Sequence, residues 1–187
     1  MAELTFYYGV MGSAKTTQLL TNNFSHREKG RRTLVLSPTI DSRRERGVVK
    51  SRIGISADAT DFSDKDDLYS IIRDSYDVIF VDEAQFCASE QIDQLKKAAH
   101  DFCSPVFAYG LRTDFRTQVF NGSKRLLEIA DNIIEIPTAC QCGRKATVNA
   151  RIGLDGKIMN DGPQVLIGDT YGEVRYEGMC AKCAGIV

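Results

Sequence analysis

The sequence predicts an α/β fold in which a parallel β-sheet has helices on both faces, followed by a small antiparallel appendage. Three observations predict it. A glycine-rich turn joins an apolar strand to a helix near the start of the chain, and continuously apolar runs then alternate with amphipathic segments. Residues 138–187 change to short alternating runs that hold two pairs of cysteines. The length of 187 residues, 43% of them hydrophobic, suits one domain and a small addition.

Individual elements follow from local pattern. Apolar, β-branched and aromatic runs predict strands, and spacings of three and four between apolar residues predict helices. The expected strands are 4–8, 33–37, 77–81, 105–110 and 132–136, and the expected helices are 17–24, 66–76, 89–100 and 123–130. Residues 39–54 are polar and basic, which predicts a mobile loop that either contacts phosphate or is simply a solvated charge run. We expect a boundary after residue 137, with a nucleotide-binding domain before it.

Composition limits the class of partner. A formal net charge of -1 argues against nucleic acid or an anionic membrane as the main partner. No apolar run approaches the ~20 residues of a membrane span, and the first residues lack the pattern of a secretory signal. Six cysteines without an export signal indicate a reducing compartment, in which thiols bind metal or pack in the core. We therefore expect a cytoplasmic protein.

The glycine-rich turn has the pattern of a phosphate-binding loop. A strand, a loop ending in Lys-Thr and a helix let backbone N–H groups and the helix N-terminus surround phosphates. Lys15 is expected to reach the outer phosphates, and the Thr16 hydroxyl is expected to ligate Mg²⁺. Ala14 stands where the usual pattern has a second glycine, which costs little if that residue is near helical geometry. The alternative is an ordinary turn with a chance lysine. The candidate phosphate-binding residues are Gly9, Val10, Met11, Gly12, Ser13, Ala14, Lys15 and Thr16.

A second acidic motif follows an apolar strand. Asp82 and Glu83 come directly after Asp77–Val81, where a carboxylate beside a phosphate loop holds Mg²⁺ directly or through water. The neighbouring Glu83 is placed to accept a proton from an attacking hydroxyl. The alternative is that both are acids at a helix N-terminus, where they stabilise the helix dipole.

The C-terminal cysteines predict a structural zinc site. The appendage has too little apolar material to fold alone, and two tight cysteine pairs separated by about a hairpin's length are typical of a zinc ribbon. Reduced surface thiols are the alternative. The remaining cysteines, Cys87 and Cys103, are interpreted as packing in the core or near the site. The expected ligands are Cys140, Cys142, Cys180 and Cys183.

The order and spacing of these motifs resemble the type II, cellular and bacterial, thymidine kinases across essentially the whole chain. The matching segments are Gly9–Thr16, Thr39–Arg43, Asp82–Phe86, Tyr109–Arg116 and a cysteine-paired tail carrying Val165–Gly168. The resemblance implies a RecA-like core and a zinc-stapled lasso domain. It also implies transfer of the γ-phosphoryl of ATP to the 5′-hydroxyl of thymidine, with Glu83 at the general-base position. The first cysteine pair departs from the family pattern, since it is C-x-C rather than C-x-x-C.

The same resemblance assigns binding residues and partners. Asp41 and Arg43 match the loop that reaches the sugar and phosphates. Feedback inhibition by thymidine triphosphate (dTTP) and a homotetramer are also implied. Because burying the 5-methyl group is worth only about 1 kcal/mol, we expect deoxyuridine to be phosphorylated as well. The residues that match the thymine pocket and the lasso are Met11, Gln85, Phe86, Leu111, Phe115, Val165, Leu166, Gly168 and Tyr176.

Two other functions compete with this one. Asp82–Gln85 also looks like a helicase motif, and zinc ribbons often grip nucleic acid, which would suit a nucleic-acid motor. The chain is too short for the two lobes of such motors, and it has no basic stripe. A nucleotide-binding regulator without turnover is the other candidate. Consumption of ATP on adding thymidine, compared with single-stranded DNA, would separate the three.

Overall fold

The computed structural model describes residues 2–39, 45–73, 76–164 and 174–186. The helices are α1 (Lys15–Glu28), α2 (Leu68–Ile72), α3 (Ser89–Asp101) and α4 (Asn121–Ile129), with a 3₁₀ turn over Ala84–Phe86. The strands are β1 (Leu4–Tyr8), β2 (Thr33–Pro38), β3 (Val48–Lys50), β4 (Ser56–Asp58), β5 (Thr60–Phe62), β6 (Val78–Val81), β7 (Val106–Gly110), β8 (Asn132–Glu135), β9 (Val148–Gly153), β10 (Ile158–Met159) and β11 (Val174–Met179).

The central sheet is parallel and has the order β5-β2-β6-β7-β1-β8. Its inner strands alternate their side chains between two cores. In β2, Leu34 and Leu36 pack with α2, α3 and α4, whereas Val35 packs with Leu19 and Leu20 of α1. Each large side chain buried in this way contributes about 1.5–3 kcal/mol. The predicted parallel sheet with helices on both faces is confirmed.

Strand order places the acidic and phosphate-binding motifs together. β7 lies between β1 and β6, and the phosphate loop follows β1 while Asp82 follows β6. Because parallel strands end at the same edge of a sheet, the loops after β1, β6 and β7 meet there.

The C-terminal residues form a separate antiparallel sheet of order β10-β9-β11. Gly156 takes φ of 78° in the β9–β10 turn, the left-handed conformation that a tight hairpin turn requires. No helix within the described ranges is both long and apolar enough to cross a membrane.

Several local expectations were wrong. The apolar stripe expected over 17–24 consists of Leu19, Leu20 and Phe24, but Phe24 is 61% exposed, because Asn23 rather than Phe24 joins the two leucines on the buried face of α1. Cys103 is exposed at a residue with φ of 51°, whereas Cys87 lies in the core as expected. Part of the expected loop at 39–54 is the β3 strand, which pairs with β4 and buries Val49.

The short strand β5 was missed. Only Phe62 of its three residues is buried, so no apolar run marks it, and β2 supplies its hydrogen bonds. β2 also continues through Pro38, where the sequence predicted an end.

Candidate active site

The phosphate loop is a tight turn held against the ends of two strands. The Gly9 N–H donates to the carbonyl of Gly110 at 3.3 Å, and the Ser13 N–H donates to the carbonyl of Val10 at 3.2 Å. A Cβ on Gly9 would lie 2.6 Å from the Ile136 carbonyl oxygen, so only glycine fits there. The loop ends where α1 begins at Lys15, so the N-terminus of that helix faces the space that the loop encloses.

Ala14 does not have the helical geometry that would make alanine a mild replacement for glycine. Its φ of 60° and ψ of 25° are left-handed, as is the φ of 80° at Gly12. In that region a Cβ approaches the next carbonyl oxygen at a cost of about 1–2 kcal/mol. Alanine therefore keeps the shape of the loop but adds strain that a glycine would not carry.

Lys15 lies inside the loop that it follows. Its Nζ donates to the carbonyls of Gly9 at 3.1 Å and Val10 at 2.9 Å, with the Ser13 hydroxyl at 3.4 Å. Burial lowers the pKa of Lys15, and the nearby carboxylates of Glu83 and Asp82 act in the opposite direction. The ammonium group is thus partly desolvated at the place where phosphates are expected.

Thr16 and Asp82 form the second half of the site. The Thr16 hydroxyl lies 3.3 Å from both carboxylate oxygens of Asp82, which is 6% exposed. Burial, followed by the charge of Glu83, raises the pKa of Asp82 to about 7. A carboxylate and a hydroxyl are the hard oxygen ligands that Mg²⁺ prefers, so the donor set fits that ion.

Glu83 is aimed by its neighbours. Its φ of 47° turns the chain out of β6. The Gln85 amide then donates to Glu83 Oε2 at 2.5 Å and accepts from the N–H of Leu111 at 3.0 Å. A Cβ on Gly110 would lie 2.7 Å from Gln85 Oε1, so this bridge requires glycine at that position. Gln85 therefore fixes Glu83 relative to the loop after β7.

The aromatic and apolar residues expected around a base lie on the loops after β6 and β7. Leu111 and Phe115 are buried, while Phe86 is half-buried with its ring 5.7 Å from Phe120. Met11 is half-buried on the phosphate loop. The other candidate residues, Asp41, Arg43, Val165, Leu166 and Gly168, fall outside the described residues.

Arg151 joins Phe115 to Tyr176 and was not anticipated. Its guanidinium carbon lies 3.6 Å from the centre of the Phe115 ring, and its Nε donates to the Tyr176 hydroxyl at 2.9 Å. Nη2 donates to the carbonyl of Pro163 at 2.7 Å. Arg151 is fully buried, and its cation is stabilised by the ring face and these acceptors. The available signal was its spacing of two from Asn149 on β9, which places both on one face.

The four C-terminal cysteines come together as predicted. Their sulfur atoms all lie within 4.8 Å of one another, and those of Cys142 and Cys180 are 3.6 Å apart. Zinc with thiolates at about 2.3 Å holds sulfurs about 3.8 Å apart, so the cluster fits that ion. Gly143, with φ of 83°, closes the turn after the first pair. The C-x-C spacing is thus compatible with a four-sulfur site.

Protons are shared unevenly among these thiols. The Cys183 N–H lies 3.5 Å from the Cys180 sulfur and lowers the pKa of that thiol to about 6. Hydrogen bonds to the other sulfurs raise the pKa of Cys183 to about 12. A bound cation would favour the thiolate form of all four.

Comparison with known proteins decides the family. The thymidine kinase family model matches residues 2–184. The chain belongs to the thymidine kinase family. The thymidine kinase of Rhodopirellula baltica is 44% identical over 185 residues, covering 96% of this chain and 86% of that protein. The thymidine kinase of Shewanella oneidensis is 43% identical over 187 residues, covering 97% and 96% respectively. The Legionella pneumophila (strain Lens) enzyme is 44% identical over 186 residues, covering 96% and 88%.

Membership of the thymidine kinase family confirms the resemblance drawn from the motifs. It favours a kinase over a nucleic-acid motor. Among solved structures, the large terminase of a thermophilic bacteriophage, in complex with ADP, superposes with a TM-score of 0.43 and 12% identity, covering 72% of this chain and 40% of that one. A likeness at that level adds nothing to the thymidine kinase assignment.

Proposed function

We propose that this chain is a thymidine kinase that transfers the γ-phosphoryl group of ATP to the 5′-hydroxyl of thymidine, and also of deoxyuridine. One observation carries the proposal. The Thr16 hydroxyl touches both oxygens of Asp82 beside the buried Lys15, with Glu83 next in the chain. Phosphoryl transfer needs a phosphate cradle, a metal-ion site and an oriented hydroxyl, and these residues supply each requirement.

The phosphate loop and Lys15 hold the triphosphate. Loop N–H groups and the start of α1 favour anionic oxygens. Lys15 can exchange its bonds to the Gly9 and Val10 carbonyls for bonds to phosphate oxygens. Thr16 and Asp82 would hold Mg²⁺, and the bound ion would supply positive charge that neutralises charge developing on the phosphates. Asp82 would then be ionised, although burial favours its protonated form in the free protein.

Glu83 acts as the general base for the nucleoside 5′-hydroxyl. Its carboxylate is oriented by the Gln85 amide at 2.5 Å. Gln85 is therefore a positioning residue, because it fixes the direction in which the Glu83 carboxylate faces the nucleoside 5′-hydroxyl.

The thymine base is enclosed by Met11, Phe86, Leu111 and Phe115. Burying the 5-methyl group is worth about 1 kcal/mol, so thymidine should be preferred over deoxyuridine only modestly. Rejection of deoxycytidine requires a hydrogen-bond donor in the pocket that suits the thymine carbonyl oxygen and cannot pair with the cytosine amino group, which is itself a donor. By resemblance we assign sugar and phosphate contacts to Asp41 and Arg43, and base contacts to Val165, Leu166, Gly168 and Tyr176.

The remaining assignments are also proposals. We infer that residues 1–137 are the kinase domain, and that residues 138–187 are a lasso domain whose zinc ion is structural. By resemblance to the family we further propose a cytoplasmic homotetramer inhibited by dTTP.

Release of ADP tests the activity. Mg·ATP is supplied with thymidine, deoxyuridine, deoxycytidine or single-stranded DNA, and the phosphorylated product is identified. We expect turnover with the first two and none with DNA. Lys15→Met should abolish turnover, whereas Lys65→Met, a change at an exposed lysine, should leave it unchanged. ADP release that does not depend on a nucleoside would overturn the proposal.

A further inference from the structure

The phosphate loop rests on the C-terminal sheet. Asn149 on β9 and Gly178 on β11 are directly paired across the two strands, and both face the first half of the loop. This contact lies beside a small pocket whose lining includes Gly9, Arg112, Thr113, Glu135 and Asn149.

Asn149 uses both ends of its amide to hold separate segments. Its Oδ1 accepts from the N–H of Met11 at 2.7 Å, and its Nδ2 donates to the carbonyl of Thr113 at 2.7 Å. The side chain is 3% exposed. Because the Met11 N–H is engaged in this way, its direction sets the path of the loop before Gly12. One amide thus joins the phosphate loop, the loop after β7 and the C-terminal sheet.

Gly178 shows how close the two parts approach. A Cβ at this position would lie 2.6 Å from Val10 Cγ2 and 2.9 Å from the Met11 carbonyl oxygen. Only a residue without a side chain lets β11 lie against the loop. Val10 also packs on the cluster of Cys140, Ala146 and Cys180, so the same loop contacts the cysteine site.

We propose that Asn149 is a positioning residue for the phosphate loop and that, with Gly178, it makes the affinity for Mg·ATP depend on the C-terminal sheet. This inference rests on the proposed function, since it takes the loop as the triphosphate site. It assigns that sheet a role in binding ATP in addition to any role around the nucleoside. Loss of the amide leaves the Met11 N–H buried without an acceptor, and the loop relaxes to satisfy it.

The first variant is Asn149→Leu, which keeps the branching of the side chain and removes both hydrogen bonds. We expect KM for ATP to rise about tenfold, together with the Kd for Mg·ATP measured without nucleoside, because Met11 and the loop of Thr113 also border the proposed thymine pocket. The matched control is Asn132→Leu. Asn132 lies beside Thr5 at the amino end of β1 and bonds Glu3, so KM for ATP should not change.

The second variant, Asn149→Asp, is tested by the pH dependence of its KM for ATP. A purely structural role of Asn149 would not make that KM depend on pH. A protonated carboxyl can accept from Met11 and donate to Thr113, as the amide does, whereas the ionised form can only accept. KM for ATP should be close to that of the wild type near pH 6 and rise relative to it towards pH 8, as the carboxyl ionises at about pH 6–8 when buried. Arg112 and Glu135 line the same pocket, and the wild type controls for their titration.

Gly178→Ala provides an independent test, because it perturbs the loop by contact rather than by a lost hydrogen bond. It should also raise KM for ATP. Gly153→Ala on β9 is its control, since a Cβ there meets only the ends of the Asp155 and Met159 side chains.

The outcomes separate the two proposals. A wild type without ATP-dependent phosphorylation of thymidine would remove the proposed function itself. An active wild type with unchanged ATP KM in Asn149→Leu and Gly178→Ala would overturn only the positioning role. A raised KM for ATP with an unchanged Kd for Mg·ATP measured without nucleoside would also overturn it, because the change would then lie at the thymine pocket. If Asn149→Leu does not fold, the pH profile of Asn149→Asp and the Gly178→Ala result decide.

Discussion

Replacing Asp82 by asparagine should stabilise the protein while abolishing its activity. The carboxyl is buried beside Glu83, and these surroundings raise its pKa from 3.8 to about 7. The folded protein therefore holds a proton between these two pH values that an unfolded chain releases. Because the folded state binds more protons, the free energy of unfolding falls as pH rises through this range. Asparagine has no charge to bury, so it lacks this loss.

The size of the effect follows from the pKa difference. At about 1.4 kcal/mol per pH unit, a rise from 3.8 to about 7 corresponds to about 4 kcal/mol at pH 8. The asparagine amide must find hydrogen-bond partners of its own in the same buried position beside Thr16, which offsets part of the gain. We expect a net increase of about 2 kcal/mol at pH 8, which raises Tm by about 4–8 °C for a chain of this size. At pH 5, only about 1.2 units above 3.8, the corresponding figure is about 1.7 kcal/mol, so after the same offset the two proteins should differ little.

The assay is thermal unfolding of the zinc-loaded protein without Mg²⁺ or nucleotide, at pH 5 and pH 8. Asp155→Asn, at the exposed β9–β10 turn, controls for a general change in charge. Added Mg·ATP should stabilise the wild type and not Asp82→Asn. If Tm changes with pH equally in the wild type and in Asp82→Asn, the argument is refuted, because the pKa of Asp82 would then not be raised in the folded protein.

Three further predictions concern separate parts of the chain. Glu83→Gln should lower kcat by about 10²–10⁴ with little change in thymidine Kd, and near-normal turnover would remove Glu83 from the base role. Metal analysis should find about one zinc ion per chain, and chelation should expose residues 138–187 to proteolysis before the central sheet. A metal-free protein with the same protease pattern would contradict that. Ala14→Gly should raise the free energy of unfolding by about 1 kcal/mol in denaturant titrations, because it relieves a left-handed φ. A destabilised variant would show that chain entropy outweighs the strain.

Much of the fold could be predicted because the central strands are buried on both faces. Runs such as Val78–Val81 are apolar at every position, and they identify a parallel strand without further information. β5 has no such signal, since Thr60 and Asp61 are polar and β2 alone determines their pairing. Phe24 fits a helical stripe in sequence, but the packing face of α1 turns past it.

The residues of the site likewise include some that could be predicted from local pattern and others that could not. Lys15, Thr16 and Asp82 could be predicted, because Asp82 lies directly after β6, and Lys15 and Thr16 begin the helix that follows the turn after β1. Local pattern therefore fixes the edge of the sheet on which all three fall. Asn149 and Met11 are 138 residues apart, and no local pattern marks their hydrogen bond. Arg151 was missed for a related reason. A buried arginine is acceptable only once Phe115, Tyr176 and the Pro163 carbonyl surround it, and sequence order does not show that enclosure.

The charged and the neutral contacts of the phosphate loop have different effects: Lys15 and Asp82 attract the ligand, whereas Asn149 positions the loop. Burial lowers the pKa of Lys15 and raises that of Asp82, so each carries a desolvation cost that the other only partly offsets. The proposed magnesium–triphosphate complex would bring anionic oxygens to Lys15 and a divalent cation to Asp82, and it would compensate both costs at once. The Asn149 bond to Met11 is neutral, so it contributes nothing to this attraction and responds little to salt. Instead, this hydrogen bond determines the position of the phosphate loop in which the triphosphate would bind. ATP affinity should therefore depend on ionic strength in the wild type and in Asn149→Leu alike, with the two curves offset and parallel.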